Sequence, residues 1–212
     1  MAIMQAPHTA PAKRRHPADA ESELRRALRE LRLLYEAADF EKHHVDLLEG
    51  RLIVSPPADG PHELVVEWLM DEFCEVSKAQ GWARLAGSGV AVPPQGEWIQ
   101  PDFLIHRDRS SITGGWLYPA HQALLVAEVA SPSSVREDRE VKPERCALAG
   151  IPFYLLIDRL VMPMTLTLFS EPSDKGYAKT DVVQVGGKLT VAEPFGFTLD
   201  TATFPLPKQS VS

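Results

Sequence analysis

The stretch LLVAEVASPSSVREDREVK, residues 124–142, joins an apolar run to a charged segment of helical composition. Glu128 is the only charge in the apolar run, whose length and composition predict a buried strand. An unpaired carboxylate costs several kcal/mol to bury, so Glu128 must reach solvent, a cationic partner or a metal ion. The segment that follows predicts a helix carrying Lys142, with Ser134 and Glu137 in the spacing of a capping box.

The rest of the chain alternates between helical and β-type patterns. Apolar residues at helical spacing predict an amphipathic helix over residues 21–37 and a second helix over residues 62–81, with Gly81 as its C-cap. Pro143 predicts a kink or a restart in the helix of Lys142, because its ring removes a hydrogen bond and clashes with the preceding turn. Short β-type runs separated by Gly, Pro and Ser predict strands within residues 43–57, 83–94, 98–108, 151–158 and 165–200. The pattern predicts an α/β (α+β) fold in which helices flank a mixed β-sheet.

Length and charge limit the classes of function. At 212 residues the chain fits one domain, and 44% hydrophobic with 24% charged residues is typical of a globular protein. The 22 Lys and Arg residues against 29 Asp and Glu residues give a net charge of −7, whereas a broad nucleic-acid-binding face normally has a basic balance. Any surface that binds phosphate must therefore be local.

The cysteines and the N-terminal sequence bear on location. Cys74 and Cys146 lack the spacing of a zinc site or a disulfide framework, which favours a reducing cytoplasm. Residues 1–20 are rich in Ala, Pro and His and predict a disordered tail without the apolar core of a signal peptide. No apolar run approaches the roughly 20 residues of a membrane-spanning helix. We expect a cytoplasmic protein without a membrane anchor.

Two carboxylates are candidate metal ligands. Asp102, in QPDFLI, and Glu128, in LLVAEV, are each the only charge in an apolar strand. Neighbouring strands lie about 4.8 Å apart, so two such side chains can point at one divalent ion that prefers oxygen ligands. A nearby ammonium group, that of Lys142, can orient an attacking hydroxide or stabilise the charge that develops on phosphorus. The alternative is that each carboxylate lies at a strand end and pairs with an arginine.

Two further sets of residues have functional interpretations. Basic residues recur every third position in the helix after the apolar run: Arg136, Arg139, Lys142 and Arg145. They could form a local positive surface, although pairing with acidic residues of the same helix is the favoured interpretation. Aromatic residues are expected in loops near the site: Trp98, Trp116 and Tyr118. They could stack on bases, but aromatic packing that fixes the loops is again favoured.

Five ordered blocks of the sequence resemble the Uma-type family of restriction endonucleases, within the PD-(D/E)XK nuclease superfamily. They are DLLEGRLIVSPP (46–57), the helix that opens at His62, QPDFLI (100–105), LLVAEVASPSS (124–134) with the Asp138 and Lys142 pair, and ALAGIPFYLLID (147–158). The segment AEPFGFTLDTATF (192–204) is similar to the closing segment of those proteins. The resemblance covers roughly residues 38–206.

The resemblance implies a restriction-endonuclease-like fold, a mixed β-sheet flanked by helices, with a metal ion bound by Asp102 of the PD motif and by Glu128. The usual superfamily lysine stands two residues after the Glu, where this chain has Ala130. Proteins of the Uma type carry the lysine on the following helix, and on that basis the resemblance assigns its role to Lys142.

The resemblance also implies lesser roles for two other residues. Asp46 stands where relatives have a Glu and would be an outer metal ligand. His62 would contact phosphate or water, with a solvated or helix-capping histidine as the alternative. The implied organisation is a disordered tail at 1–20, an N-terminal helix at 21–37, the nuclease-like domain at 38–206 and a tail at 207–212.

These features predict a Mg²⁺- or Mn²⁺-dependent endonuclease that hydrolyses nucleic-acid phosphodiester bonds, with Asp102, Glu128 and Lys142 as catalytic residues. DNA is the favoured substrate, and a homodimer would suit the cutting of two strands. One alternative is a nuclease-like module that binds nucleic acid or a protein without cutting. Another is a hydrolase of smaller phosphate esters.

Overall fold

The computed structural model describes residues 2–5, 17–37, 43–93 and 96–205. Its helices are α1 (Pro17–Ala37), α2 (Gly60–Glu72), α3 (Cys74–Gln80) and α4 (Lys142–Leu148), with a π-helical turn at Glu137–Val141 and 3₁₀ turns at Arg109–Ser111, Ala120–Gln122 and Thr201–Thr203. Its strands are β1 (Ala2–Gln5), β2 (His44–Leu48), β3 (Arg51–Ser55), β4 (Ala83–Leu85), β5 (Gly89–Val92), β6 (Glu97–Ile99), β7 (Phe103–His106), β8 (Leu117–Pro119), β9 (Ala123–Val129), β10 (Phe153–Asp158), β11 (Thr165–Ser173), β12 (Gly176–Gln184), β13 (Lys188–Val191) and β14 (Phe197–Asp200).

The described strands divide between two larger sheets and one hairpin. The first sheet has the order β1-β3-β2-β6-β5-β8, the second has the order β12-β11-β10-β9-β7-β4, and β13 pairs with β14. Each larger sheet is mixed, because β5 runs parallel to β8 and β9 runs parallel to β10 while the neighbouring pairs are antiparallel. The prediction of a mixed β-structure flanked by helices is confirmed.

Alternation along β9 decides the direction in which Glu128 points. Every residue of β9 is buried. Ala127 packs in one core together with Leu69 of α2, whereas Val126 packs in a second core together with Cys146 of α4. Because successive side chains of a strand point to opposite faces, Glu128 shares the face of Val126, toward α4.

The predicted helix over residues 62–81 is two helices in the structure. It begins earlier, because Asp59 caps α2 by accepting the His62 N–H at 2.8 Å. It breaks at Phe73, whose ring is fully buried among other phenylalanine rings. Gly81 ends α3 in the left-handed conformation, with a φ of 72°, as the sequence predicts.

Pro143 restarts the helix that follows β9, as predicted. The turn before it is π-helical, and the Lys142 N–H donates to the carbonyl of Glu137, five residues earlier. The wider turn accommodates a proline ring that a regular α-helix would bring against a carbonyl of the preceding turn. Lys142 therefore begins α4 at the point where the chain changes from one helical geometry to the other.

The N-terminal region differs from the predicted boundaries at two points. Strand β1 pairs with β3 within the predicted tail at 1–20, and α1 begins at Pro17 instead of residue 21. Residues 1, 6–16, 38–42 and 206–212 lie outside the described residues, so the remainder of the two predicted tails and the start of the predicted domain at 38 stay predictions. Among the described helices, none is long and apolar enough to cross a membrane.

Asp59→Ala should lower the free energy of unfolding by about 1 kcal/mol at neutral pH, because the α2 cap is lost. The Arg159 hydrogen bond is the main reason why the pKa of Asp59 falls to about 2. The charged group therefore stabilises the fold above the unfolded pKa of about 4, and this stabilisation is lost as the pH falls toward 2. Urea unfolding between pH 7 and pH 3 measures both effects. Asp59→Asn is the control, since it keeps the cap and lacks the titration; equal pH dependence of wild type and Asp59→Asn would contradict the ion-pair contribution.

Candidate active site

A buried lysine lies at the centre of the candidate site. Lys142 Nζ donates to Glu128 Oε1 at 2.9 Å and lies 3.0 Å from Asp46 Oδ2 and 3.1 Å from Asp138 Oδ1. The four side chains are at most 5% exposed. One ammonium group thus contacts three carboxylates from β2, β9 and the π-helical turn, and it joins the two larger sheets to α4.

Separate hydrogen bonds hold Asp46 and Asp138, the two carboxylates of this cluster that do not lie on β9. The Gln100 N–H donates to Asp46 Oδ1 at 2.7 Å. Ser134 Oγ donates to Asp138 Oδ2 at 2.6 Å, and the Tyr154 hydroxyl donates to the Asp138 carbonyl at 2.7 Å. Asp138 and Lys142 are four residues apart on the same helical segment, a spacing that brings their side chains together.

Asp102 lies beside this cluster with its own set of partners. Its Oδ1 is 3.0 Å from His62 Nε2 and 3.5 Å from His44 Nδ1. Its Oδ2 accepts the Val129 N–H at 2.8 Å, which connects it to the residue after Glu128. Within the described residues, the ion-pair partners of Asp102 and Glu128 are histidines and a lysine, so the alternative in which each pairs with an arginine is wrong.

The cluster holds three carboxylates and one ammonium group, so it has more acidic than basic groups. Burial and the charges of neighbouring carboxylates raise the pKa of Glu128 well above its usual value, against the opposing effect of Lys142. Burial also raises the pKa of Asp138. Burial alone would lower the pKa of Lys142, but Asp46, Glu128 and Asp138 outweigh it and raise that pKa. The cluster therefore favours the uptake of further positive charge.

Asp102 and His62 form a pair in which each favours the charged form of the other. Burial would raise the pKa of Asp102, but the hydrogen bond and the charge of His62 lower it below its usual value. Burial would lower the pKa of His62, and the Asp102 hydrogen bond raises it instead. Asp102 is thus held as a carboxylate in a site where Glu128 is easily protonated.

The donor chemistry fits a hard divalent cation. Asp46, Asp102 and Glu128 line the same cavity, of about 180 Å³, and offer the carboxylate oxygens that Mg²⁺ and Mn²⁺ prefer. Within the described residues no group of three His, Cys, Asp or Glu side chains is already arranged as a metal site. The carboxylates are closed around Lys142 and His62 instead. A cation would therefore share these oxygens with the two basic side chains.

The predicted site residues come together in the structure. Asp46, His62, Asp102, Glu128 and Lys142 all line this cavity. The family pattern contains Asp138 without implying a role for it, although its spacing from Lys142 was a usable signal. Arg159 also lines the cavity, and no sequence pattern identified it.

The basic residues that recur every third position after β9 are paired with acidic residues, in agreement with the favoured interpretation. Most of their partners come from other parts of the chain. The pairs include Arg136 with Glu49, Arg139 with Asp158 and Arg145 with Glu97. Two pairs are internal to the segment as predicted, Lys142 with Asp138 and Arg136 with Glu137. The row does not form a free positive surface.

The three aromatic residues are packed instead of presented to a ligand. Trp98 is 1% exposed in β6, its Nε1 donates to the Val45 carbonyl at 2.8 Å, and its ring packs against Trp116. The Tyr118 hydroxyl donates to the Gly115 carbonyl at 3.0 Å. The packing interpretation of these residues is therefore the one that the structure supports.

Comparisons with known proteins agree with this fold. A family model described as "Uma2: Putative restriction endonuclease" matches residues 28–202. The crystal structure of "a putative nuclease belonging to DUF820 from Anabaena variabilis ATCC 29413" matches with a TM-score of 0.59 at 17% identity, over 74% of this chain and 87% of that chain. At this identity the likeness concerns the fold. No curated protein matches the chain.

Lys142→Met should lower the free energy of unfolding by about 3–5 kcal/mol at pH 7, because three buried carboxylates lose their cation. The loss should be smaller at pH 5, because burial raises the pKa of Glu128 and Asp138 and a lower pH favours the neutral forms that need no cation. Urea unfolding at both pH values measures the two effects. Lys78→Met, at an exposed lysine of α3, should leave the free energy of unfolding nearly unchanged. A Lys142 variant as stable as the Lys78 control would contradict the central role of this ion cluster.

Proposed function

The chain belongs to the Uma2 family, and from this premise we propose that it is a divalent-metal-dependent endonuclease that hydrolyses phosphodiester bonds of nucleic acid. The observation that carries the proposal is that Asp102, Glu128 and Lys142 line the same cavity. Family membership supports a nuclease, and the excess of buried carboxylates supports a bound cation.

Asp102 and Glu128 would hold Mg²⁺ or Mn²⁺, which when bound polarises the phosphodiester and lowers the pKa of a water molecule. Asp102 suits this role because the His62 contact keeps it ionised. Glu128 suits it because an added cation replaces the proton that burial otherwise favours. Asp46 is the proposed outer ligand, because its Oδ2 already contacts Lys142.

Lys142 would act on the phosphate. Its ammonium group stays charged because three carboxylates raise its pKa, and it begins a helix whose geometry is fixed at Pro143. A fixed positive charge beside Glu128 stabilises the negative charge that develops on the phosphoryl oxygens during attack by water. Asp138, held by Ser134, would position the ammonium group without touching substrate.

His62 would hold Asp102 in place, and the same imidazole ring would also contact phosphate or water. Its Nε2 contacts Asp102 Oδ1 at 3.0 Å, and the residue lines the cavity. A phosphate or water contact by His62 is compatible with a charged imidazolium, which Asp102 favours. DNA as the substrate, a homodimer and a cytoplasmic location belong to the same proposal.

The second candidate function is a nuclease-like module that binds nucleic acid or protein without cutting. The closure of the carboxylates around Lys142 and His62 favours it, because Asp102 and Glu128 each have a basic partner without a metal ion. Cleavage and metal binding separate the two functions.

Wild-type protein should cleave at least one member of a panel of labelled DNA and RNA strands in Mn²⁺ or Mg²⁺. Asp102→Asn and Glu128→Ala should be inactive, because each removes a proposed ligand. Glu144→Gln, which neutralises an exposed carboxylate of α4, is the control purified in the same way and should cleave like wild type. Equal cleavage by wild type and Glu128→Ala would identify a contaminating nuclease and contradict the proposal.

Glu128→Gln should abolish Mn²⁺ binding in a calorimetric titration, because the amide supplies a neutral oxygen where a carboxylate is needed. Circular dichroism should show that the variant is folded. Glu144→Gln is again the matched control and should bind as wild type does. Unchanged Mn²⁺ affinity in folded Glu128→Gln would remove Glu128 from the metal site and leave the binding module as the better function.

A further inference from the structure

Arg159 follows the strand that lies next to Glu128. β10 runs parallel to β9, with Leu156 beside Glu128, so Arg159 emerges just beyond the same end of the sheet. The preceding residue, Asp158, fixes the turn: its Oδ1 accepts the Leu160 N–H at 3.0 Å, and its Oδ2 accepts from Arg139 Nε at 2.8 Å. Arg159 is thereby directed to the wall of the cavity.

Arg159 differs from the other arginines that surround the site. Arg136, Arg139 and Arg145 pair with carboxylates outside the cavity lining. Of the Lys and Arg side chains in the described ranges, Lys142 and Arg159 are the two that line the cavity. Lys142 is enclosed by three carboxylates, so Arg159 is the cation available at the rim.

One exposed carboxylate holds the guanidinium group of Arg159. Its Nη1 donates to Asp59 Oδ1 at 2.7 Å, and its Nη2 donates to Asp59 Oδ2. The Asp59 side chain is 56% exposed, whereas that of Arg159 is 18% exposed. Two parallel hydrogen bonds from a guanidinium fork fit two oxygens of a carboxylate and equally two oxygens of a phosphate.

Asp59 has a second role that lets it release Arg159 without unfolding the helix. Its Oδ1 also accepts the His62 N–H as the N-cap of α2. A phosphate that takes over the guanidinium therefore leaves this cap in place. Asp59, the partner that the phosphate replaces, is 56% exposed, so its release to solvent costs little.

We propose that Arg159 binds a phosphate of the nucleic-acid substrate adjacent to the catalytic cluster, and that Asp59 occupies its guanidinium group as a competing anion until the substrate arrives. The inference rests on the proposed function and adds a substrate-binding residue to it. It places the phosphate subsite at the rim, between the N-terminus of α2 and the end of β10.

Binding of a short fluorescein-labelled single-stranded DNA tests the proposal by anisotropy, in EDTA and again in Ca²⁺. These readings do not depend on cleavage. Arg159→Gln should weaken binding at least about tenfold, a change of roughly 1.4 kcal/mol. Arg159→Lys should recover part of the affinity, because lysine keeps the charge but not the fork. Arg26→Gln, which breaks an exposed pair with Glu30 on α1, is the matched control and should bind like wild type.

A double-mutant cycle separates competition by Asp59 from a general effect of negative charge. Asp59→Asn keeps the helix cap and should tighten DNA binding several-fold. In the Arg159→Gln background the same change should have no effect. The proposal is overturned if Asp59→Asn does not tighten DNA binding, or if it tightens binding in the Arg159→Gln background as well. It is also overturned if Arg159→Gln binds like wild type, or if wild type binds no DNA in either condition. Binding with this pattern but without cleavage would keep the phosphate subsite and contradict the endonuclease.

Discussion

The contact of one buried ammonium group with three buried carboxylates is the interaction on which the site depends. Lys142 Nζ lies within 3.1 Å of oxygens of Asp46, Glu128 and Asp138. Each carboxylate comes from a different element, and two of those elements belong to different sheets. Removal of Lys142 would leave three buried carboxylates without their cation, and that cost exceeds what a surface ion pair contributes. The cluster therefore fixes the relative positions of β2, β9 and α4.

The location of the lysine on a helix follows from the same geometry. Two residues after Glu128, the chain has Ala130, which is fully buried in an apolar core where an ammonium group would be costly. The helix after β9 supplies the charge instead, and it approaches Glu128 because the face of β9 that carries this residue is the face covered by α4. The π-helical turn before Pro143 adjusts the register so that Asp138 and Lys142 both point into the cluster. Such turns are frequent where a helix carries functional residues.

The sequence predicted the parts of the site that disturb a local pattern. Asp102 and Glu128 interrupt apolar strands, and Pro143 interrupts a helix, so each could be identified from its neighbours alone. The sequence could not identify which charged residues pair with each other, because partners such as Asp59 and Arg159 are separated by 100 residues. The same limit explains the assignment of Trp98 to a loop near the site: its packing partners Tyr35 and Trp116 come from other segments. The break at Phe73 likewise depends on rings from β7 and the C-terminal region.

Charge is arranged in layers from the centre of the cavity to its rim. Carboxylates outnumber basic groups in the interior, where burial raises the pKa of Glu128 and Asp138 and favours a cation. At the rim, Arg159 offers a guanidinium group that an exposed carboxylate holds in place. An anionic substrate approaching an acidic protein would be repelled by the interior and attracted at this one point. A bound divalent cation would offset the negative charge of the interior, so binding of metal and of phosphate would each favour the other. This coupling follows from the charges themselves and requires no change in the fold.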